Sequence, residues 1–488
     1  MAAMSRLEQM QREAVQRLLP LTPTLQVIGE AFATQGCQVS LVGGPVRDAL
    51  LGRLGPQTDL DFATDARPDK ALEILGGIAS TTWEVGIRFG TVGARVNGRE
   101  CEITTYRTER YDPDSRKPEV DFGDSLEGDL SRRDFTVNAM ALQLPDMVIV
   151  DPFNGITDLG EYRLRTPGSA VASFADDPLR ILRAARFVAQ LGFRPDEDVT
   201  EAMHTEAHRL SIVSAERIRD ELTKMLLAPD PRSALDLLVT TGVAEVVLPE
   251  LPKLQLEVDE HHRHKDVYEH SLTVLEQCIA LEREHLPTCE PDLTLRLAAL
   301  LHDIGKPKTR RFEDDGRVSF HHHEVVGARM VRKRLSALRF SNDMVDEVSR
   351  LVELHLRFHG YGSGEWTDSA VRRYVRDAGD LLVRLHKLTR ADCTTRNRQR
   401  ALRLQRTYDD LEQRIARLAE AEELAALRPD LDGREIMEIL QVPAGPVVGE
   451  AYRYLMEVRL DSGPVGKDRA REILISWWQE RSAPGITQ

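Results

Sequence analysis

The chain has 488 residues, a formal net charge of −14, 41% hydrophobic and 30% charged residues. That is the composition of a folded protein with room for roughly three domains, not of a disordered chain. The acidity argues against wholesale coating of nucleic acid, which leaves a basic footprint, but it permits a local basic groove.

The opening residues, MAAMSRLEQMQREAVQRLL, carry charge throughout and read as a helix without an apolar h-region. No apolar run approaches the ~20 residues that span a bilayer. The five cysteines (Cys37, Cys101, Cys278, Cys289, Cys393) are scattered and form no CxxC pair. A cytoplasmic protein without disulfides, thiolate zinc or membrane partner is expected.

From about residue 21 to 165, strand-like runs (CQVSLVGG, TDLDFAT, GTVGARV, RECEITTYR, MVIVDPF) alternate with helical patterns and turn signals. The first chemistry lies in LVGGPVRDALLGRLGPQTDLDFAT, Leu41 to Thr64. Gly43 and Gly44 let backbone amides approach phosphate, and Pro45 suits the first turn of a helix whose N-terminus attracts anions. Arg47 and Arg53 add positive charge. In TDLDFAT, Asp59 and Asp61 share one strand face while Leu60 and Phe62 take the other. Paired carboxylates of this kind suit Mg²⁺, and two such ions can clamp the attacking and leaving oxygens of a phosphoryl transfer. Glu102, on RECEITTYR, is a candidate third carboxylate. The polar stretch Glu109 to Leu130, punctuated by proline and glycine, reads as a long mobile loop.

After Pro167 helical periodicity dominates. In DDPLRILRAARF, Asp177 and Arg180 are three apart and are expected on one helix face, continued by Arg183 and Arg186. Cytosine and adenine both present an exocyclic amino donor beside a bare ring nitrogen. An aspartate acceptor next to an arginine donor complements that edge, whereas uracil and guanine would meet like against like.

The GG-x-x-RD turn followed by DxD resembles the nucleotidyltransferase fold of the DNA polymerase beta superfamily. SRRDFTVNAMA (Ser131 to Ala141), DPFNGITDL (Asp151 to Leu159) and DDPLRILRAARF (Asp176 to Phe187) follow in order. Together these motifs resemble the class II tRNA nucleotidyltransferases and their bacterial poly(A) polymerase relatives over residues ~25 to 250. The resemblance implies addition of CCA to the 3′ end of tRNA from CTP and ATP without a nucleic-acid template. It implies catalytic Asp59 and Asp61, a base-reading Asp177 and Arg180, and Arg133 and Asp134 on the ribose and triphosphate. The family motif usually begins Glu-Asp, and here it begins Asp176-Asp177. The loop after Glu109 matches one that CCA-adding members use to switch from C to A, so full CCA addition is expected. The alternatives are poly(A) polymerase, which should carry a more basic chain, and a CC- or A-only tRNA nucleotidyltransferase.

Histidines crowd between 261 and 359. His270 in DVYEHSLTV, His302-Asp303 in AALLHDIGK and Asp392 in LTRADC resemble the ligands of HD-domain phosphohydrolases. His323 and His355 are candidates for a second metal, and His261, His262, His264, His321 and His322 are bystanders. Imidazole mixed with carboxylate suits Mn²⁺, Co²⁺, Ni²⁺ or Fe²⁺, which can activate water for phosphoester hydrolysis. A protein of another class, a nucleotide-sensing HD phosphohydrolase, would not need the DxD.

The expected fold is α+β. A polymerase-beta-like head spans 21–165 and an all-α neck for nucleotide reading and RNA binding spans 166–250. An HD domain spans 251–395, and a helical C-terminal domain spans 396–488, beginning with RLQRTYDDLEQRIARLAEAEELAALRP and ending in a Gly/Pro-broken segment.

Overall fold

The computed structural model describes residues 6–55, 58–84, 90–110, 119–123, 125–255, 266–285, 290–314, 318–361, 366–393, 398–422 and 428–482. It divides into two compact units, Met1–Pro252 and Lys253–Gln488. His261, His262, His264 and Cys289 lie outside the described residues.

The first unit is built on a mixed sheet. Its strands are β1 (Val39–Val42), β2 (Leu60–Thr64), β3 (Thr81–Trp83), β4 (Thr91–Val96) and β5 (Arg99–Thr105), with two more after a side ribbon. The ribbon pairs β6 (Arg107–Arg110) antiparallel with β7 (Glu119–Phe122). The main sheet resumes with β8 (Ala141–Leu144) and β9 (Val148–Val150), in the spatial order β3-β4-β5-β2-β1-β8-β9. Alternation decides which face is wet. Leu60, Phe62, Cys101 and Ile103 are buried, while Asp61 and Glu102 between them are exposed. Sequence periodicity finds five of these seven main-sheet strands but misses β3 and β8, whose TTW and ALQL are too short to show alternation.

The stretch expected to be one long loop is more ordered than its composition suggests. The ribbon takes its start, and the helix Leu126–Ser131 takes its end. Ser125 caps that helix, its Oγ accepting from Gly128 N at 3.2 Å. Only 111–118 and 124 fall outside the described residues of this stretch.

The helix Leu179–Leu191 packs against the helices Ala215–Leu226 and Pro231–Thr240. It buries Leu179, Ile181, Leu182, Ala185 and Phe187. Arg53 is not at the phosphate end of its glycine turn. Its Nη1 donates to Gln190 O at 2.8 Å, tying the head to the C-terminal end of this helix.

Among the described residues, the second unit is helical apart from one short two-stranded ribbon. The helices Val267–Glu284, Leu293–Leu301, Asn342–Leu354 and Leu382–Asp392 pack on one another. Downstream come Arg398–Glu422 and three shorter helices around Ile436, Leu455 and Leu474. The segment expected to be Gly/Pro-broken breaks only briefly, because Pro446 sits in the first turn of the helix Pro446–Ser462. Among the described residues no helix is long and apolar enough to cross a membrane.

Candidate functional site: two centres, one in each unit

The first centre is a cleft of about 630 Å³ between the wet face of the sheet and the helix Leu179–Leu191. Eight arginines line it against four carboxylates, Asp61, Glu102, Asp134 and Asp177. A protein of net charge −14 thus concentrates positive charge at one place, which suits an anionic ligand.

Asp61 and Glu102 are register partners in the parallel pair β2–β5. Asp59 immediately precedes β2 rather than lying within it, and it too is exposed. Desolvation in the cleft, then the charge of Glu102, pushes the Asp61 carboxyl up to about 6; Arg133 offsets part of this and Asp59 adds to it. Such incompletely balanced negative charge fits a divalent cation bound by oxygen.

Gly43 precedes the helix Gly44–Leu51 with φ 72°, and a Cβ there would meet Arg133 Nη1 at 3.0 Å. A side chain is therefore disfavoured by conformation, and it would push on the arginine packed over the turn. Arg47 donates to Asn138 Oδ1 at 2.7 Å and to Asp48 Oδ1 at 2.8 Å, and its guanidinium lies 5.3 Å from the Phe187 ring centroid. Arg133 and Arg132 converge on buried Asp129, at 3.1 and 2.5 Å.

Asp134 is committed more deeply than a free ribose contact would be. Its Oδ1 accepts from Phe135 N at 2.8 Å and from Asn138 Nδ2 at 3.0 Å, and its Oδ2 takes the Arg183 guanidinium. Burial raises its pKa, but Arg183 and these bonds outweigh that and hold it at about 2. Arg186 turns to buried Glu221, at 3.3 Å, and lies 4.8 Å from the Phe187 ring centroid.

Asp177 and Arg180 both line the cleft, but not as one helix face. The helix starts at Leu179, and Asp177 is extended (φ −133°, ψ 98°) at the end of the preceding helix Ala170–Asp176. Pro178 explains this, because a residue before proline avoids the helical region. Asp177 Oδ1 accepts from Leu179 N at 3.1 Å, and its Oδ2 lies 3.3 Å from Arg217 Nη2. Arg180 donates to Ser173 Oγ at 2.7 Å and to Arg132 O at 2.6 Å. Arg107, Asn138, Phe187 and Arg217 also line the cleft and escaped sequence reasoning. Arg217 and Glu221, one turn apart on one helix, meet Asp177 and Arg186, so this helix braces the reading segment at two points.

The second centre gathers His270, His302, Asp303, His323, His355 and Asp392. His270, His302 and Asp392 offer ligand atoms within 4.8 Å of one another, and so do Asp303, His323 and His355. Asp303 joins the groups, its carboxylate lying 3.2 Å from His302 Nε2 and 3.2 Å from His323 Nε2. Gly305 makes this possible, since a Cβ there would strike His323 O at 2.1 Å and Gly327 N at 2.8 Å.

Three imidazoles are set by the same device. Nδ1 of His302, His323 and His355 contacts the carbonyl oxygen three residues earlier, at 2.9, 2.8 and 2.6 Å. Donation from Nδ1 turns Nε2 toward the cluster as a lone pair, the arrangement of a metal-ligating histidine. Nε2 of His323 and of His355 are buried without an aligned hydrogen-bond partner. Burial and the charge of neighbouring His302 push His355 down to about 3, keeping it a neutral ligand. For His302 burial lowers the pKa, but Asp303 and Asp392 outweigh it and raise it to about 10. A proton there does what a metal cation would do better. The residues fit divalent metal. Lys306 also reaches Asp303, at 2.6 Å. His321 and His322 point to solvent, 74% and 84% exposed.

Comparison with known proteins finds family matches in both units. Residues 39–165 match the poly A polymerase head domain, and residues 192–254 match a probable RNA and SrmB-binding site of polymerase A. Residues 267–423 match the HD domain, running past the boundary at 395 expected from sequence. An A-adding tRNA nucleotidyltransferase of Deinococcus radiodurans is 33% identical over 452 residues, covering 91% of this chain and 96% of that one. A CCA-adding enzyme of Streptococcus sanguinis is 44% identical over 223 residues, 46% of this chain and 54% of its own, so the match spans about half of that relative. The crystal structure of the Bacillus stearothermophilus CCA-adding enzyme in complex with CTP aligns over 98% of this chain and 99% of its own, with a TM-score of 0.65 at 25% identity. With a relative this similar along nearly its whole length, and with head, RNA-binding and HD segments in one order, the chain belongs to the tRNA nucleotidyltransferase family.

Proposed function

We propose that the protein builds the CCA end of tRNA, adding C, C and A from CTP and ATP with no nucleic-acid template. One observation carries this: a single arginine-lined cleft holds the sheet carboxylates at one wall and the acceptor–donor pair Asp177 and Arg180 at another. The head over 21–165 supplies the transfer chemistry, and the neck over 166–250 supplies base reading and RNA contact. Asp59 and Asp61, with Glu102 beside them, are the residues to hold Mg²⁺, favoured by their all-oxygen donor set. Bound there, such ions would offset charge on the attacking and leaving oxygens. The Gly43–Gly44 turn, Arg47 and Arg133 receive the triphosphate. Asp134 fixes Arg183 and Asn138, and Asn138 in turn fixes Arg47. Asp177 accepts from the exocyclic amino group of C or A, and Arg180 donates to the adjacent ring nitrogen.

The test is incubation with tRNA lacking its 3′ terminus, labelled CTP or ATP, and Mg²⁺. Incorporation of CMP followed by one AMP supports the reading. A second reading, A-only addition, is favoured by the near full-length similarity to the A-adding enzyme. It predicts no CMP incorporation, and AMP only on tRNA already ending in CC. Long A tails on RNA of any shape would indicate a poly(A) polymerase instead.

For the 251–395 segment we propose a metal-dependent phosphohydrolase. His270, His302, Asp303 and Asp392 form one ligand set, with His323 and His355 completing a second position. The mixed nitrogen and oxygen donors favour Mn²⁺, Co²⁺ or Ni²⁺. We propose the helical 396–488 segment as the C-terminal domain, within the same compact unit as the HD segment.

A further inference from the structure

An arginine that selects a base by the direction of its N–H groups has to be held in one orientation before the nucleotide arrives. The long side chain of Arg180 would otherwise swing among rotamers and offer donors to a carbonyl oxygen of uracil as readily as to the bare ring nitrogen of cytosine. Two contacts prevent that. Nη1 donates to Ser173 Oγ at 2.7 Å, with the Ser173 carbonyl oxygen at 3.4 Å, and Nη2 donates to the Arg132 carbonyl oxygen at 2.6 Å. Both outer nitrogens are thus held on the protein side.

The serine is well placed to be rigid. It lies on the helix Ala170–Asp176, its own N–H donating to Ser169 O at 3.0 Å and its carbonyl accepting from Asp177 N at 3.2 Å. One residue therefore touches both members of the base-reading pair, Asp177 through its backbone and Arg180 through its hydroxyl. Ser173 is itself not among the residues lining the cleft, so it acts through Arg180 and not on substrate.

We propose that Ser173 is the positioning residue that sets base selectivity, by fixing the guanidinium of Arg180. This rests on the reading of Arg180 as a base contact. The test compares kcat/KM for CTP and UTP on tRNA lacking its terminus, for the parent, Ser173→Ala, Ser173→Thr and Arg180→Ala. Ser173→Ala is expected to lower the CTP-over-UTP preference about tenfold, the order expected for one hydrogen bond to a charged group. Its kcat with CTP should fall by less than the preference does. Ser173→Thr, which keeps the hydroxyl, should restore the preference. If Arg180→Ala collapses selectivity but Ser173→Ala keeps it, the positioning role is overturned and the base contact stands. If Arg180→Ala itself leaves selectivity unchanged, the base contact fails and the proposal falls with it. Should the alanine variant not fold, Ser173→Cys keeps the size with a weak acceptor; retained selectivity there also overturns the proposal.

Discussion

Asp61 and Glu102 stand opposite each other in the parallel pair β2–β5, two carboxylates on one wet face with Arg133 as a nearby counter-charge. That arrangement has a cost without a cation, and it defines the first prediction. Asp61→Asn should lower incorporation of both CMP and AMP by on the order of 10²–10³-fold, because charge on the transferring phosphate loses its stabilisation. Glu102→Gln should cost less in rate. Single-turnover incorporation at saturating Mg²⁺ measures both, and near-normal turnover by Asp61→Asn would remove it from the metal site.

Gly43→Ala is the second prediction. Its φ of 72° is strained for any side chain, and the new Cβ would sit 3.0 Å from Arg133 Nη1. The backbone strain is worth about 1–3 kcal/mol. The flexible guanidinium can yield, so the fold should survive while the triphosphate contact is displaced. The expected signature is a raised KM for CTP and ATP alike, with choice between bases unchanged. An altered CTP-to-UTP preference would place Gly43 in base reading instead.

Much of the first centre could be read from the chain because its chemistry is local. Asp61 lies on a strand whose alternation is visible, and Gly43 is followed at once by its helix. What the sequence hid is long-range. Asp134 meets Arg183 49 positions away, and Arg217 meets Asp177 40 positions away. No periodicity connects such residues. The expectation that Asp177 and Arg180 share a helix face failed for a local reason that was visible, the proline between them. In the second unit the ligand types were legible, but the Nδ1 contacts that orient the imidazoles depend on backbone carbonyls, which leave no trace in composition.

The Asp134–Arg183 pair gives a prediction about stability. With its pKa held at about 2, Asp134 stabilises the fold at any pH above the unfolded carboxylate value of about 3.9, and this is lost as pH falls through about 2. Arg183→Met leaves a buried carboxylate with hydrogen bonds from Asn138 and a backbone amide and the more distant charge of Arg180. The cost should be about 2–3 kcal/mol at pH 7, below the ~3–5 kcal/mol of a fully buried pair, since the Arg183 side chain is 33% exposed. The variant's carboxyl pKa should rise, so its deficit should shrink as pH drops from 7 to 4. Urea unfolding at both pH values checks this, and a deficit that does not change with pH would mean the loss is one of packing.

The last prediction separates the two centres. Asp303 belongs to one ligand group and lies 3.2 Å from His302 of the other, in the unit Lys253–Gln488, whereas the cleft lies wholly in Met1–Pro252. Asp303→Ala removes the carboxylate that faces His302 and His323 and frees Lys306. Bound transition metal, measured on purified protein after loading with Mn²⁺ or Ni²⁺, should fall to background. Hydrolysis of a 2′,3′-cyclic phosphate or a phosphomonoester with Ni²⁺, Co²⁺ or Mn²⁺ should vanish with it. Addition to tRNA with Mg²⁺ should continue near the parent rate, because the all-oxygen site draws on none of these histidines. If the parent binds metal but hydrolyses neither substrate, the cluster serves the fold and not catalysis. If the variant folds, keeps its helical signal and yet loses addition to tRNA, the centres are coupled through the RNA or the chain, and treating them as independent is wrong.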